Sequence, residues 1–133
     1  ICNVALHKKE YLEIFGNDWN TFDGTCIRDY IHIMDIADGH IRALDYLINK
    51  AQNNSYNIFN LGTGKGTSII ELINTFEQVN NCFIKKKFTE RRFGDTPICF
   101  ANVKKAEKIL NWKSKRSLEK MCIDGWLFAK NNF

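Results

Sequence analysis

The residues of this chain best suited to chemistry are three arginines and a carboxylate. Arg91-Arg92-Phe93-Gly94-Asp95 sets two guanidinium groups and an acid around a glycine, and Arg28 stands in an apolar run followed by Asp29 and Tyr30. A guanidinium is planar, charged at any working pH, and offers a fork of N–H groups that matches two phosphate oxygens. A carboxylate three residues on can accept hydrogen bonds from a vicinal diol such as ribose. Arg28, Arg92 and Asp95 therefore read as a diphosphate clamp with a sugar hook. On residue types alone, a pair of structural salt bridges is the plainer reading.

Three other patterns fall short of the chemistry they suggest. Gly62-Thr63-Gly64-Lys65-Gly66 follows a strand-like run and precedes a helix-like one. A dinucleotide fingerprint needs Gly-x-Gly-x-x-Gly, yet position 67 is Thr, and a phosphate loop needs Gly-Lys-Ser/Thr after four spacers. The acidic ribose ligand expected about 20 residues on is also missing, since that stretch is Asn81 to Lys87. The glycines therefore read as a loop leading to a helix cap. Tyr46 and Lys50 have the Tyr-x-x-x-Lys spacing of a general acid/base pair. However, Tyr46 lies opposite an apolar helical stripe, so it is assigned to the polar face, with Lys50 suiting the helix C-terminus. The lysines at 85–87 and 104–105 and the basic run from Lys113 to Arg116 read as solvated faces, and no base-stacking motif accompanies them. A basic module for nucleic acid or acidic partners is the alternative they leave open.

The five cysteines include no Cys-x-x-Cys pair, and the three histidines are scattered, so neither a disulfide framework nor a metal site is expected. Reduced thiols of a cytoplasmic protein are the expectation. The chain has 133 residues, room for about one domain, and is 44% hydrophobic and 26% charged with a single proline. That balance excludes collagen-like, low-complexity and disordered classes. No apolar run approaches the ~18 residues of a membrane span. A net charge of +4 does not by itself announce a nucleic-acid binder. The opening Ile1-Cys2-Asn3, without Met or a charged-then-apolar leader, suggests a piece of a longer chain with no signal peptide.

The elements that must position these residues alternate between strand and helix, which predicts mixed α/β structure. Strands are expected at residues 11–16, 27–33, 56–61 and 83–88, with a short extended piece at 97–100. Asp35 is the expected N-cap of a helix from Ile36 to about Ile48, with Ala37, Ile41, Leu44 and Ile48 as its apolar stripe. Ser68 and Glu71 have capping-box spacing ahead of Ile69, Leu72, Ile73 and Phe76. Asn102 and Ser117 should cap two further helices, ending near Leu110 and beyond Trp126.

One ordered series of motifs goes further. It comprises Ile14-Phe15-Gly16-Asn17-Asp18, Asp23-Gly24-Thr25, Arg28-Asp29-Tyr30-Ile31-His32 and Asp35-Ile36-Ala37-Asp38-Gly39-His40. It continues through Asn60-Leu61-Gly62-Thr63-Gly64, Arg91-Arg92-x-Gly94-Asp95, Lys105-Ala106-Glu107, Leu110-Asn111-Trp112 and Leu118-Glu119-x-Met121. In order and spacing the series closely resembles the UDP-glucose 4-epimerase family, over nearly the whole chain. Arg-Asp-Tyr-Ile-His alone suggests only extended short-chain dehydrogenases of the nucleotide-sugar type, dehydratases and decarboxylases included. The Phe-Gly-Asn-Asp…Asp-Gly-Thr segment with Arg-Arg-x-Gly-Asp narrows this to the epimerases.

The resemblance implies that residues 1–133 are the C-terminal, UDP-sugar-binding portion of an α/β Rossmann-type enzyme whose N-terminal NAD-binding domain lies upstream. It also implies that the strand at about 56–61 joins the Rossmann sheet. In this family NAD removes and returns a hydride at sugar C4 while the 4-keto sugar turns over. The catalytic and cofactor-binding residues fall upstream of Ile1, so none is expected here. By the same resemblance Glu13, Ile14 and Phe15 run along the nucleotide, Arg28 and Arg92 hold the diphosphate, and Asp95 holds the ribose. Cys99 borders the sugar, and the complete enzyme is a cytoplasmic homodimer without nucleic-acid or membrane partners.

Three positions depart from the family pattern. Glu13 puts a charge near a dianionic ligand and is expected to point to solvent. Phe93 replaces a polar residue and is expected on the rim. Cys99 replaces a larger Tyr, which leaves room for a 2-N-acetyl group and implies that UDP-N-acetylglucosamine and UDP-N-acetylgalactosamine are accepted too.

Overall fold

Ser68 marks the point where the chain turns from strand to helix. Its hydroxyl accepts the Glu71 N–H at 3.0 Å, and the Glu71 carboxylate accepts the Ser68 N–H at 3.3 Å, which completes the expected capping box. Helix α3 (Ile69–Asn80) follows and ends at Asn81, whose left-handed φ of 48° stops it. The computed structural model describes residues 1–49 and 56–132.

The buried face of α3, Ile73 and Phe76, builds the larger core with Val4, Ile14, Ile84 and Cys122. Those residues come from α1 (Cys2–Ala5), β1 (Leu12–Phe15), the approach to β4 (Lys86–Thr89) and α5 (Leu118–Asn132). The single turn of α1 is too short to leave a periodic signal and was not expected. Burial in this core also drives the Cys122 thiol up to about 11. Strand β1 runs parallel to β4, Leu12 opposite Lys86 through Phe15 opposite Thr89. β4 starts later than its apolar run because Ile84 turns into the core and gives its N–H to the Glu77 carboxylate at 2.7 Å.

A second sheet orders β3 (Thr67–Ser68), β2 (Ile27–Arg28) and β5 (Ile98–Cys99), with β2 antiparallel to β3 and parallel to β5. β2 is far shorter than the expected 27–33. Beyond Arg28 the neighbouring N–H groups go to a side chain: the Asp29 carboxylate accepts from Thr63, Gly64 and Ala101 at 2.9–3.1 Å. Helix α2 (Ile33–Asn49) then begins earlier than expected. His32, not Asp35, holds its start: ring Nδ1 accepts the Met34 N–H at 3.0 Å, and its carbonyl accepts from Asp35 and Ile36. The Asp35 carboxylate is committed instead to the backbone N–H groups of Lys115 and Arg116 and to the Arg116 guanidinium.

The face that α2 packs is also not the expected one. Gly39 is buried, and Ala43 and Tyr46 pack with Ile31, Phe59 and Leu61 against Ala106, Leu110 and Trp112, the second core, built around α4 (Lys104–Leu110). Ile41, Leu44 and Ile48 are between 55% and 70% exposed. A small-residue face lets α4 and Trp112 approach closely, and this packing leaves the broader aliphatic stripe outward. Tyr46 is half-buried, meeting the Phe59 ring edge-on at 5.8 Å against the second core, and so does not stand on a solvated face; Lys50 lies outside the described residues.

Residues 56–61 form no strand, although Phe59 and Leu61 pack on the second core. An extended run becomes a strand only when a neighbour completes its hydrogen bonds. Asn102 accepts the Lys104 N–H and Ser117 the Lys120 N–H, so both sit at helix starts as read, with Val103 as the formal N-cap of α4. Gly62 is required by close approach: a Cβ there would lie 2.4 Å from Asp29 Oδ2 and 2.6 Å from Ala101 Cβ. Gly62→Ala should therefore lower stability by about 1–3 kcal/mol, measured as a lower urea midpoint with unchanged slope. A wild-type midpoint would show that Asp29 has room to move.

Candidate functional site

The short second sheet places the first arginine. In the β2–β5 register Arg28 stands opposite Cys99, so the exposed thiol and the guanidinium-bearing residue are neighbours across one ladder. Arg28 Nη1 donates to the Ile27 carbonyl at 2.9 Å, which turns the fork back along its own strand. Its Nη2 lies 3.6 Å from Asp95 Oδ1. Arg92 Nε donates to the other carboxylate oxygen, Asp95 Oδ2, at 3.0 Å. Asp95 thus bridges the two arginines.

As a stability device this arrangement is weak. Arg92 is 61% exposed, and an exposed pair of this kind contributes about 0–1 kcal/mol. Its effect is on orientation: one carboxylate holds two cations together while leaving the Arg92 Nη groups without a hydrogen-bond acceptor among the described residues. Two positive charges face one negative one, so an anion is attracted.

The other expected residues divide by strand alternation. Leu12 and Ile14 point to the core, and Glu13 and Phe15 to the opposite face. The Ile14 side chain is fully buried, so Ile14 can meet a ligand only through its backbone. Glu13 is exposed, opposite Lys87. The Phe15 ring carries the Arg92 guanidinium at 4.4 Å, a cation–π contact that links β1 to the clamp. Phe93 stands fully exposed beside Gly94, whose φ of 86° turns the loop, and it does not pack on the rim. Phe15, Arg28, Arg92, Asp95 and Cys99 are connected by these contacts; Glu13 and Ile14 are joined to them only through β1.

The glycine loop is held, not open. The Thr63 and Gly64 N–H groups that would cradle a phosphate are taken by Asp29, which also accepts the Thr63 hydroxyl at 2.6 Å. Of the lysines read as solvated, Lys85 pairs with Glu10, Lys86 with Glu77, and Lys105 lies over Phe59. No group of three metal-ligating side chains exists among the described residues, and no helix there is long and apolar enough to cross a membrane. Sequence reading missed Trp19 beside the clamp, and it singled out Arg91 without giving it a role there. An open cleft of about 530 Å³ adjoins them, lined by Gly16, Asp18, Thr89 and Arg91 among others. No local signal pairs them, since Arg91 meets Asp18 across 73 positions.

The fold is a short-stranded α/β unit, and its two arginines around one carboxylate are arranged to attract an anion. The chain belongs to the family described as GDP-mannose 4,6 dehydratase, which matches residues 1–124. Within it, the relatives at 44–47% identity are UDP-glucose 4-epimerases. The Bacillus subtilis UDP-glucose 4-epimerase is 44% identical over 99% of this chain and 38% of its own length. The crystal structure of the Stenotrophomonas maltophila epimerase, with bound NAD and formylated UDP-arabinopyranose, superposes with a TM-score of 0.92 at 37% identity, over 98% of this chain and 38% of that one. The UDP-Glc/GlcNAc 4-epimerase of Campylobacter jejuni gives 0.83 at 37% identity, over 98% and 39%. The chain therefore spans well under half the length of the relatives it matches, and the mixed α/β expectation is met.

Proposed function

We propose that this chain is the C-terminal, nucleotide-holding part of a UDP-glucose 4-epimerase, with residues 1–133 as its UDP-sugar-binding domain. The bridging of Arg28 and Arg92 by Asp95 carries the reading. Arg28 and Arg92 grip the diphosphate, Asp95 takes ribose hydroxyls as the phosphates take over the arginines, and Phe15 with the backbone of Glu13 and Ile14 lines the nucleoside. Holding UDP while the sugar turns contributes orientation, not proton transfer. NAD supplies the hydride chemistry. The residues here do not fit a dinucleotide, because the N–H groups of the glycine loop are already taken by Asp29. NAD and the acid/base groups accordingly belong to residues beyond these 133. The outward stripe of α2 and the extended 56–61 segment are where that cofactor domain packs, and the complete enzyme is a cytoplasmic homodimer.

Cys99 bears on sugar choice. An exposed thiol beside Arg28 leaves space that a larger side chain would fill, so N-acetylated UDP-sugars are accepted as well. The family's description favours a second reading, a nucleotide-sugar dehydratase. One assay separates them: the complete protein with NAD is given UDP-galactose and, separately, UDP-N-acetylgalactosamine. Conversion of each to its gluco epimer is expected. Turnover of UDP-galactose alone removes the role given to Cys99. A dehydrated 4-keto product supports the second reading, and no conversion of either sugar overturns the first.

A further inference from the structure

Beside the clamp lies a third arginine, Arg91, whose side chain is committed to Asp18 and Trp19. Arg91 Nε donates to Asp18 Oδ1 at 2.8 Å, its Nη2 donates to the Asp18 carbonyl, and its guanidinium stacks on the Trp19 ring at 4.2 Å. Trp19 Nε1 in turn donates to the Phe15 carbonyl at 2.9 Å. Phe15 carries Arg92 on its ring. The contacts therefore form one path, from Arg91 through Trp19 and Phe15 to Arg92.

The path is built closely. Gly16 adopts φ 85°, and a Cβ there would lie 2.4 Å from Trp19 Nε1 and 2.9 Å from Arg91 Cγ. Only glycine lets the indole and the arginine close over the end of β1, where the Gly16 N–H also bonds the Thr89 carbonyl. An exposed Arg–Asp pair alone would contribute little. Here the planar fork engages a carboxylate, a carbonyl and an aromatic face together, a combination a lysine cannot reproduce.

We propose that Arg91 is a positioning residue for the nucleotide clamp, fixing Phe15 through Trp19 and thereby the place of Arg92; this rests on the clamp reading above. The Arg91 guanidinium is committed to Asp18 and Trp19, so it is assigned to holding protein and not to the phosphates. It restricts where the Arg92 guanidinium can rest, so that less freedom is lost when a diphosphate binds.

UDP binding by the complete protein, followed by calorimetry, tests this. Arg91→Leu should weaken UDP about tenfold, and Arg91→Lys about threefold because the Asp18 contact survives without the stack. Asp18→Ala, which leaves the arginine and the indole in place, should cost about threefold and serves if Arg91→Leu does not fold. In an Arg92→Ala background Arg91→Leu should cost less than about twofold more, because both act on one contact. Undiminished affinity in the Arg91 and Asp18 variants, with Arg92→Ala impaired, would overturn the positioning role alone. A full tenfold loss persisting in the Arg92→Ala background would do the same. Unchanged binding by Arg92→Ala removes the clamp reading, and the inference with it.

Discussion

Arg92→Ala in the complete protein should bind UDP about 30- to 150-fold more weakly, a loss of about 2–3 kcal/mol for a charge-assisted phosphate contact. The Nε of Arg92 is spent on Asp95, but its Nη groups are available to oxygen. Removing the side chain also leaves Asp95 paired with Arg28 alone, at 3.6 Å. The remaining carboxylate then opposes an incoming phosphate with only one cation beside it. Arg92→Lys should recover part of the loss, because a point charge attracts phosphate without presenting the fork. The penalty should shrink as salt rises, since the Arg92 side chain is mostly exposed. Calorimetry at two ionic strengths checks both points, and an unchanged affinity in Arg92→Ala rejects the clamp.

Asp35→Ala should lower folding stability by about 3 kcal/mol without touching the site. The Asp35 side chain is 3% exposed and accepts the Lys115 N–H at 3.1 Å, the Arg116 N–H at 2.9 Å and the Arg116 guanidinium. Its own carbonyl accepts Trp112 Nε1–H at 3.1 Å, so the start of α2 is tied to the second core at two points. Alanine leaves two backbone donors and a guanidinium without that acceptor. Burial raises the Asp35 carboxyl, but the N–H groups of Arg116 and Lys115 and the Arg116 guanidinium together hold it below its ordinary 3.8.

The sign of the pH dependence follows. A carboxyl lowered by folding contributes stability that is fully present above its unfolded value and is lost as pH falls through the folded one. The deficit of Asp35→Ala relative to wild type should therefore be largest near neutrality and shrink below pH 3.8. Urea unfolding at neutral pH and at about pH 3 measures it. An equal gap at both would show that the carboxylate's charge contributes nothing.

Much of the fold was legible in the sequence because it depends on neighbours within one helical turn. Ser68 and Glu71 cap α3 as their spacing requires, and Ile73 and Phe76 face the core as their period requires. The failures share a different cause. Periodicity marks an apolar stripe on α2 but says nothing of what covers it, and the described residues cover its Gly39–Ala43–Tyr46 face instead, leaving Ile41, Leu44 and Ile48 exposed. Asp35 has the chemistry of an N-cap, yet its carboxylate is drawn to Lys115 and Arg116, and the imidazole of His32 takes the role. The run 27–33 has strand propensity, but Asp29 diverts the N–H groups that would extend the ladder.

By itself the sequence determined which groups the proposed clamp draws on: Arg28, Arg92, Asp95 and the small Cys99, in an order that resembles the epimerase family. Residue type sets charge, fork geometry and size, and these need no fold. Only the tertiary structure decided that Asp95 stands between the two arginines, that Ile14 belongs to the core, and that Arg91 reaches Phe15 through Trp19. Those contacts hang on β1 meeting β4 and β2 meeting β5, pairings of segments far apart in the chain. Closing such loops costs chain entropy, which is offset only by burying the two cores, and no local pattern records which distant segments will meet.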